Sequence, residues 1–126
     1  MIIPESLRFT KEHEWLRVEG DFAFIGVSDF AQHELGDVVF IEVETVGETL
    51  FKGEAFGTIE AVKTVSDMYM PVSGEVLEYN TLLDGVPETI NSDPYVDGWI
   101  IKIKINNPAE VNELMDAKSY KAHIGV

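Results

Sequence analysis

The side chain best placed for chemistry in this sequence is a lysine. Lys63 sits within Gly57-Thr58-Ile59-Glu60-Ala61-Val62-Lys63-Thr64-Val65-Ser66-Asp67-Met68-Tyr69-Met70-Pro71. It is the only basic residue between Lys52 and Lys102, and the acids Glu60 and Asp67 flank it. Such an amine is within reach of another protein's active site if the chain lifts it onto an exposed turn. The bland alternative is a lysine that only solubilises its turn, as most exposed lysines do.

Other reactive types are present, but their spacing carries little. His13, His33 and His123 lie far apart, and no pair has the i, i+4 spacing of a helical metal site. In Glu12-His13-Glu14 both acids would face away from the histidine on a strand, which predicts structural or surface roles. Ser28-Asp29 and Ser66-Asp67 lack a local histidine to make a nucleophilic pair, and the glycine patterns of P-loops and dinucleotide folds are missing. Scattered acids could pair as general acid and base, but spacing does not identify such a pair. With no cysteine there is no disulfide, thiolate metal site or thiol nucleophile. No metal site is expected. Residue chemistry alone gives no enzyme; it gives a body that holds up one lysine.

The elements around Lys63 follow from periodicity. Glu54, Phe56, Thr58 and Glu60 alternate with Ala55, Gly57 and Ile59, and Val65, Asp67 and Tyr69 with Ser66, Met68 and Met70. Period-two alternation on both sides of Lys63 predicts a hairpin over about 54–70 with the lysine at its tip. Neither Gly nor Pro lies between Glu60 and Asp67, which suits a type I turn, because its central residues keep φ negative.

Elsewhere the sequence predicts a strand over Lys11–Val18, a Gly20-Asp21 turn and a strand over Phe22–Val27. Ser28 is placed to cap a short helix that Gly36 ends. Strands follow at Asp37–Val43, Glu75–Tyr79 and Trp99–Ile105, with Trp15 and Trp99 as packing residues. Glu44–Gly53 reads as a connector, Thr81–Gly85 as a helical turn and Val86–Gly98 as a loop. Asn107 and Pro108 suit the start of a helical tail over about 107–124. Many short strands and a helical tail point to a mainly β protein, a sandwich or flattened barrel forming one domain over 1–126. A loose likeness between the halves before and after Lys63 suggests pseudo-symmetry.

Composition narrows the partners. The 126 residues hold 23 acids and 9 basic residues, a formal net charge of −14. That bias argues against nucleic acid and against anionic membranes. It favours basic partner surfaces, or else simply solubility. No apolar run approaches the roughly 20 residues of a membrane span, and Met1-Ile2-Ile3-Pro4 is too soon broken for a signal peptide. The expectation is a cytoplasmic monomer, or a mitochondrial matrix protein whose presequence has been removed.

The segment around Lys63 resembles the lipoyl-lysine segment of the H protein of the glycine cleavage system, which reads close to G-S-I-E-S-V-K-A-V-S-D-I-Y. Further blocks match in order: Phe9-Thr10-Lys11-Glu12-His13-Glu14-Trp15, Ile25-Gly26-Val27-Ser28-Asp29-Phe30-Ala31, Leu35-Gly36-Asp37-Val38-Val39-Phe40, Asn91-Ser92-Asp93-Pro94-Tyr95, Gly98-Trp99-Ile100-Ile101-Lys102-Ile103 and Leu114-Met115-Asp116-Ala117-Lys118-Ser119-Tyr120. Ala61, Thr64 and Met70 depart from the usual residues without removing the lysine or its acids.

The resemblance implies a lipoyl-domain-like barrel-sandwich hybrid and a non-catalytic carrier with lipoic acid joined as an amide to Lys63. Its partners would be the glycine decarboxylase (P protein), the aminomethyltransferase (T protein), dihydrolipoyl dehydrogenase (L protein) and a lipoyl-attaching ligase or transferase. Glu60 and Asp67 would help that last enzyme recognise the turn, or would only solvate the strands. The loaded arm, which bears a cation, would fold back onto the body, with Glu14 the candidate acid, Trp15 its apolar cover, and Ser66 and Asp67 nearby.

Several rivals stay open. A biotin carrier usually sets its lysine between methionines, and lipoyl domains of 2-oxoacid dehydrogenases favour an aspartate before it; here Val62 and Thr64 flank Lys63. A lipoyl store or relay, an unmodified acidic binding module, and an enzyme using Glu12, His13 and Glu14 are the others.

Overall fold

The computed structural model describes residues 1–126. Nine strands form two antiparallel sheets that are not closed into a barrel. The strands are β1 (Arg8–Phe9), β2 (Glu14–Glu19), β3 (Phe22–Val27), β4 (Val38–Glu42), β5 (Thr49–Leu50), β6 (Ala55–Ala61), β7 (Val65–Tyr69), β8 (Gly74–Tyr79) and β9 (Ile101–Ile105). The larger sheet runs β1-β2-β3-β9-β8-β5 and the smaller β4-β6-β7. Helices α1 (Asp29–Leu35), α2 (Leu82–Gly85), α3 (Thr89–Ser92) and α4 (Ala117–Ile124) and a 3-10 helix at Pro108–Glu113 complete the chain. The mainly β reading with a helical tail holds. The halves before and after Lys63 are not equivalent, since six strands (β1–β6) precede it and three (β7–β9) follow.

The core lies between the sheets. Ile25, Ile101, Ile103 and Val76 of the larger sheet meet Ile41, Phe56, Ile59 and Met68 of the smaller one, all fully buried or nearly so. A second cluster, built on Phe9, Trp15 and Tyr120, holds the C-terminal helix against the larger sheet. Trp15 reaches it by lying across Gly26, where an added Cβ would come within 2.7 Å of the indole ring. That close approach requires a glycine.

Several local expectations hold for their stated reasons. Ser28 Oγ accepts from Ala31 N–H at the start of α1, and Gly36 ends the helix with φ at 78°. Asp116 caps α4 by accepting from Ser119 N–H. Other expectations are corrected. The strand foreseen over Lys11–Val18 begins only at Glu14, because residues 10–13 form a turn in which His13 takes φ of 78°. His13 and Glu14 therefore do not alternate as strand neighbours. The connector before the hairpin contains β5, and the loop after α2 contains α3. The final strand begins at Ile101, not Trp99, and the tail opens as a 3-10 helix without a side-chain bond from Asn107.

A buried hydroxyl chain fixes the tail. Tyr120 OH lies 2.7 Å from Ser28 Oγ and 2.8 Å from His13 Nδ1. Ser28 donates to Tyr120, which donates to His13; this direction leaves no buried hydroxyl hydrogen without an acceptor. Burial and nearby His123 hold the His13 pKa below its usual value, against Glu12 and Glu34, in keeping with a neutral ring. Removing the hydroxyl in Tyr120→Phe keeps the ring stacked on Phe9 at 4.4 Å but strands both neighbours. The variant is expected to lose about 1–3 kcal/mol in a urea titration at neutral pH.

Candidate functional site

Lys63 occupies the tip of the β6–β7 hairpin, as its flanking alternation predicts. Ala61 N–H donates to Thr64 O at 2.8 Å, closing the turn without glycine, and both Val62 and Lys63 keep φ out of the positive region. Val62 N–H donates to Asp37 O at 3.1 Å, tying the tip to the residue before β4. Val62, Lys63, Thr64 and Val65 are all exposed. No carboxylate lies within ion-pairing distance of the Lys63 ammonium. The amine stands free on a base pinned to its neighbouring strands.

A cleft of about 600 Å³ opens beside the far end of β7. Phe9, Met70, Leu114 and Met115 supply apolar wall, and Glu14 is its buried carboxyl. Only 2% of Glu14 is exposed. The turn at residues 10–13 makes this burial possible by bringing Thr10 against the strand start. Thr10 Oγ1 lies 2.6 Å from one Glu14 oxygen and accepts from Glu14 N–H at 3.0 Å, while Tyr69 N–H donates to the other oxygen at 3.2 Å. Burial pushes the Glu14 pKa up to about 7, although the bonds from Thr10 and Tyr69 favour the anion. Near neutral pH this carboxyl is part protonated, which suits a group that gains its charge when a cation arrives. Lys52 also lines the cleft, but its ammonium is held by Glu113 at 2.7 Å.

The remaining residues singled out in the sequence separate. Trp15 points away from Glu14, as strand alternation requires, and its Nε1–H donates to Pro94 O at 3.0 Å, so it is not a cover for the cleft. Ser66 lies half-buried opposite Ile59. Glu60 and Asp67 are exposed on the outer face of the smaller sheet, and Asp67 lines a different, shallower groove. Neither Ser66 nor Asp67 lines the Glu14 cleft. His13 spends Nδ1 on Tyr120, and it lines neither the cleft nor the groove. The sequence did not indicate Thr10, Lys52 or Glu113 as part of this cleft. Thr10 four residues before Glu14 is a signal only once the turn between them is known.

The two-sheet β body presents an unpaired lysine on a pinned hairpin tip. Comparison with known proteins assigns the family. Residues 7–125 match the model of the glycine cleavage H-protein family. The chain is 53% identical over 122 residues to the glycine cleavage system H protein of Bacteroides thetaiotaomicron, covering 97% of both chains. It is 52% identical over 127 residues to that of Pelodictyon phaeoclathratiforme, covering 99% of both. Its fold matches the crystal structure of a glycine cleavage system H protein from Mycobacterium marinum with a TM-score of 0.90 at 37% identity, over 98% of this chain and all of that one. The chain belongs to the glycine cleavage H-protein family.

The buried carboxyl gives a measurable pH signature. Glu14 titrates near 4.5 when unfolded and near 7 when folded, so between these values the native state holds the extra proton. Stability from this group is complete below about 4.5 and falls as pH rises through 7. Glu14→Gln imitates the protonated form. Its amide nitrogen donates to Thr10, and its oxygen accepts from Tyr69 N–H. The stability of Glu14→Gln relative to wild type is expected to rise by up to about 3 kcal/mol from pH 4.5 to pH 7, read from paired urea titrations. A flat difference would exclude a raised Glu14 pKa.

Proposed function

We propose that this chain is the lipoyl carrier of a glycine cleavage system, acting as one domain over 1–126 with lipoic acid joined as an amide to Lys63. The observation that carries the reading is the free Lys63 ammonium on a turn pinned by two backbone hydrogen bonds. The residues fit the group: an unpaired amine to acylate, and a partly apolar cleft with one buried carboxyl for the far end of the arm. When bound, the dithiolane would take an aminomethyl group from the glycine decarboxylase to the aminomethyltransferase and be reoxidised by dihydrolipoyl dehydrogenase.

The chain's own residues do the rest. Lys63 supplies the anchor, and the hairpin keeps the anchor's position fixed while the arm searches, so transfer between partners becomes a local search at high effective concentration. Glu14 receives the cationic end of the loaded arm. An ammonium entering the cleft favours the carboxylate over the acid, so Glu14 is charged when occupied and part neutral when empty. The Lys52–Glu113 pair offsets the charge of one of the two lysines that line the cleft, the other being Lys11. Glu60 and Asp67 help the lipoyl-attaching enzyme read the turn. The bacterial relatives support a cytoplasmic setting, and no helix is long and apolar enough to cross a membrane.

Two measurements test this. Intact mass of protein from a lipoylating host should show one lipoyl group on wild type and none on Lys63→Arg, since guanidinium stays protonated and forms no amide. The Arg variant should unfold within about 0.5 kcal/mol of wild type, as exposed substitutions do. A lipoyl group on Lys63→Arg would place the attachment elsewhere. For docking, the loaded carrier bearing Glu14→Gln should release ammonia faster than wild type without transferase. Equal rates would remove Glu14 from the docking site.

A further inference from the structure

The outer face of the smaller sheet carries residues that the fold does not use. Cross-strand pairing sets Phe40 beside Glu60 and Glu60 beside Val65, a row across all three strands. Phe40 is 51% exposed and Val65 61%, and Val62 at the tip is 71% exposed. The next row is Glu42–Thr58–Asp67. Below it a shallow groove of about 220 Å³ is lined by Glu42, Glu44, Thr58 and Asp67. Glu42, Glu44, Glu60 and Asp67 make neither ion pairs nor side-chain hydrogen bonds within the chain. The groove shares no residue with the Glu14 cleft.

A face that only had to be soluble gains nothing from an aromatic and a valine in line with the hairpin tip. Their arrangement is that of an interface: an apolar anchor with unpaired charges around it. The charges are all acidic, so the complementary surface is basic. The position selects among partners. A protein seated here holds the strands that lead directly to Lys63, and so fixes the amine itself. Enzymes that act on the far end of an arm have no need of that register. The enzyme that forms the amide does, because it must read the bare lysine before any arm exists.

We infer that this face is the docking surface for the lipoyl-attaching enzyme: the Phe40 ring seats in an apolar pocket of that enzyme, and an Arg or Lys beside the pocket enters the Glu42–Glu44–Asp67 groove. The inference rests on Lys63 being the lipoylated residue. It extends recognition from the acids beside the lysine to β4, a strand outside the hairpin.

The test is steady-state lipoylation of the unmodified carrier by a purified lipoyl-attaching enzyme, with carrier concentration varied. Phe40→Ser is expected to lower kcat/KM about tenfold, the loss typical of an aromatic anchor, through KM and with kcat nearly unchanged. Glu42→Lys with Asp67→Lys should lower it further and flatten its dependence on salt. Glu88→Lys, an exposed acid on another part of the chain, is the control for net charge. Thermal unfolding near wild type confirms that each variant is folded, and Val65→Thr, which keeps strand propensity, provides a second probe of the apolar row. Unchanged kcat/KM in Phe40→Ser and Val65→Thr, or an equal loss in Glu88→Lys, would overturn the inference while leaving Lys63 as the attachment residue. Failure of wild type to be lipoylated at all would instead remove the reading on which it rests.

Discussion

The position of Lys63 depends on two backbone hydrogen bonds. Ala61 to Thr64 closes the turn, and Val62 to Asp37 fastens it to the segment entering β4. β4 already pairs with β6 as far as Val38–Ala61, and the second bond carries that pairing one residue further into the tip. With it the lysine stands on a three-stranded base whose inner face is packed into the core. Gly57 is part of the same arrangement, because a Cβ there would lie 2.5 Å from the Glu42 carbonyl oxygen. That glycine lets β4 run close behind the hairpin, and the absence of glycine at the tip keeps the turn in one conformation. These contacts fix the origin of any group carried on Lys63.

The buried carboxyl solves a different problem. An acid exposed on the surface would attract any cation and hold none of them well. Glu14 is instead withdrawn among Phe9, Met70 and Leu114 and given two neutral donors. Its charge is costly when the cleft is empty and favoured when an ammonium enters. Tyr69, which supplies one donor, is the last residue of β7, an edge strand of its sheet. Edge strands expose unpaired N–H groups that invite pairing with other chains. Glu14 takes up one such group, so the same bond orients the carboxyl and blunts the edge.

Much of this was legible in the sequence, and the unread parts share a cause. The hairpin, α1 and its two caps, and β8 followed from local pattern, because turn chemistry and period-two alternation are local. So did the lysine. The Glu14 cleft did not, since it needs the positive φ of His13, the edge of β7 and the 3-10 helix at Pro108–Glu113 to meet, and these lie far apart along the chain. Strands β1 and β5 are two residues long and carry no period. The strand at Val38-Val39-Phe40-Ile41 was legible, but a bulge between Val38 and Phe40 leaves both Val39 and Phe40 facing outward. One inserted residue reverses which face a side chain meets, and nothing in the local sequence announces it.

The two zones lie at opposite ends of one strand. Val65 begins β7 beside Lys63, and Tyr69 ends it against Glu14. Four residue steps of extended chain span roughly 13 Å, comparable with a lysine side chain lengthened by an eight-carbon acyl group. The distance between the hairpin tip and the cleft is therefore set by a strand and not by a loop. On the proposed reading, a partner on the outer face would approach the amine without entering the cleft, because groove and cleft share no lining residue. An arm docked in the cleft would, on the same reading, leave the outer face uncovered. Alternation along β7 sends Asp67 outward and Met68 into the core, so one antiparallel hairpin holds both faces in register with Lys63.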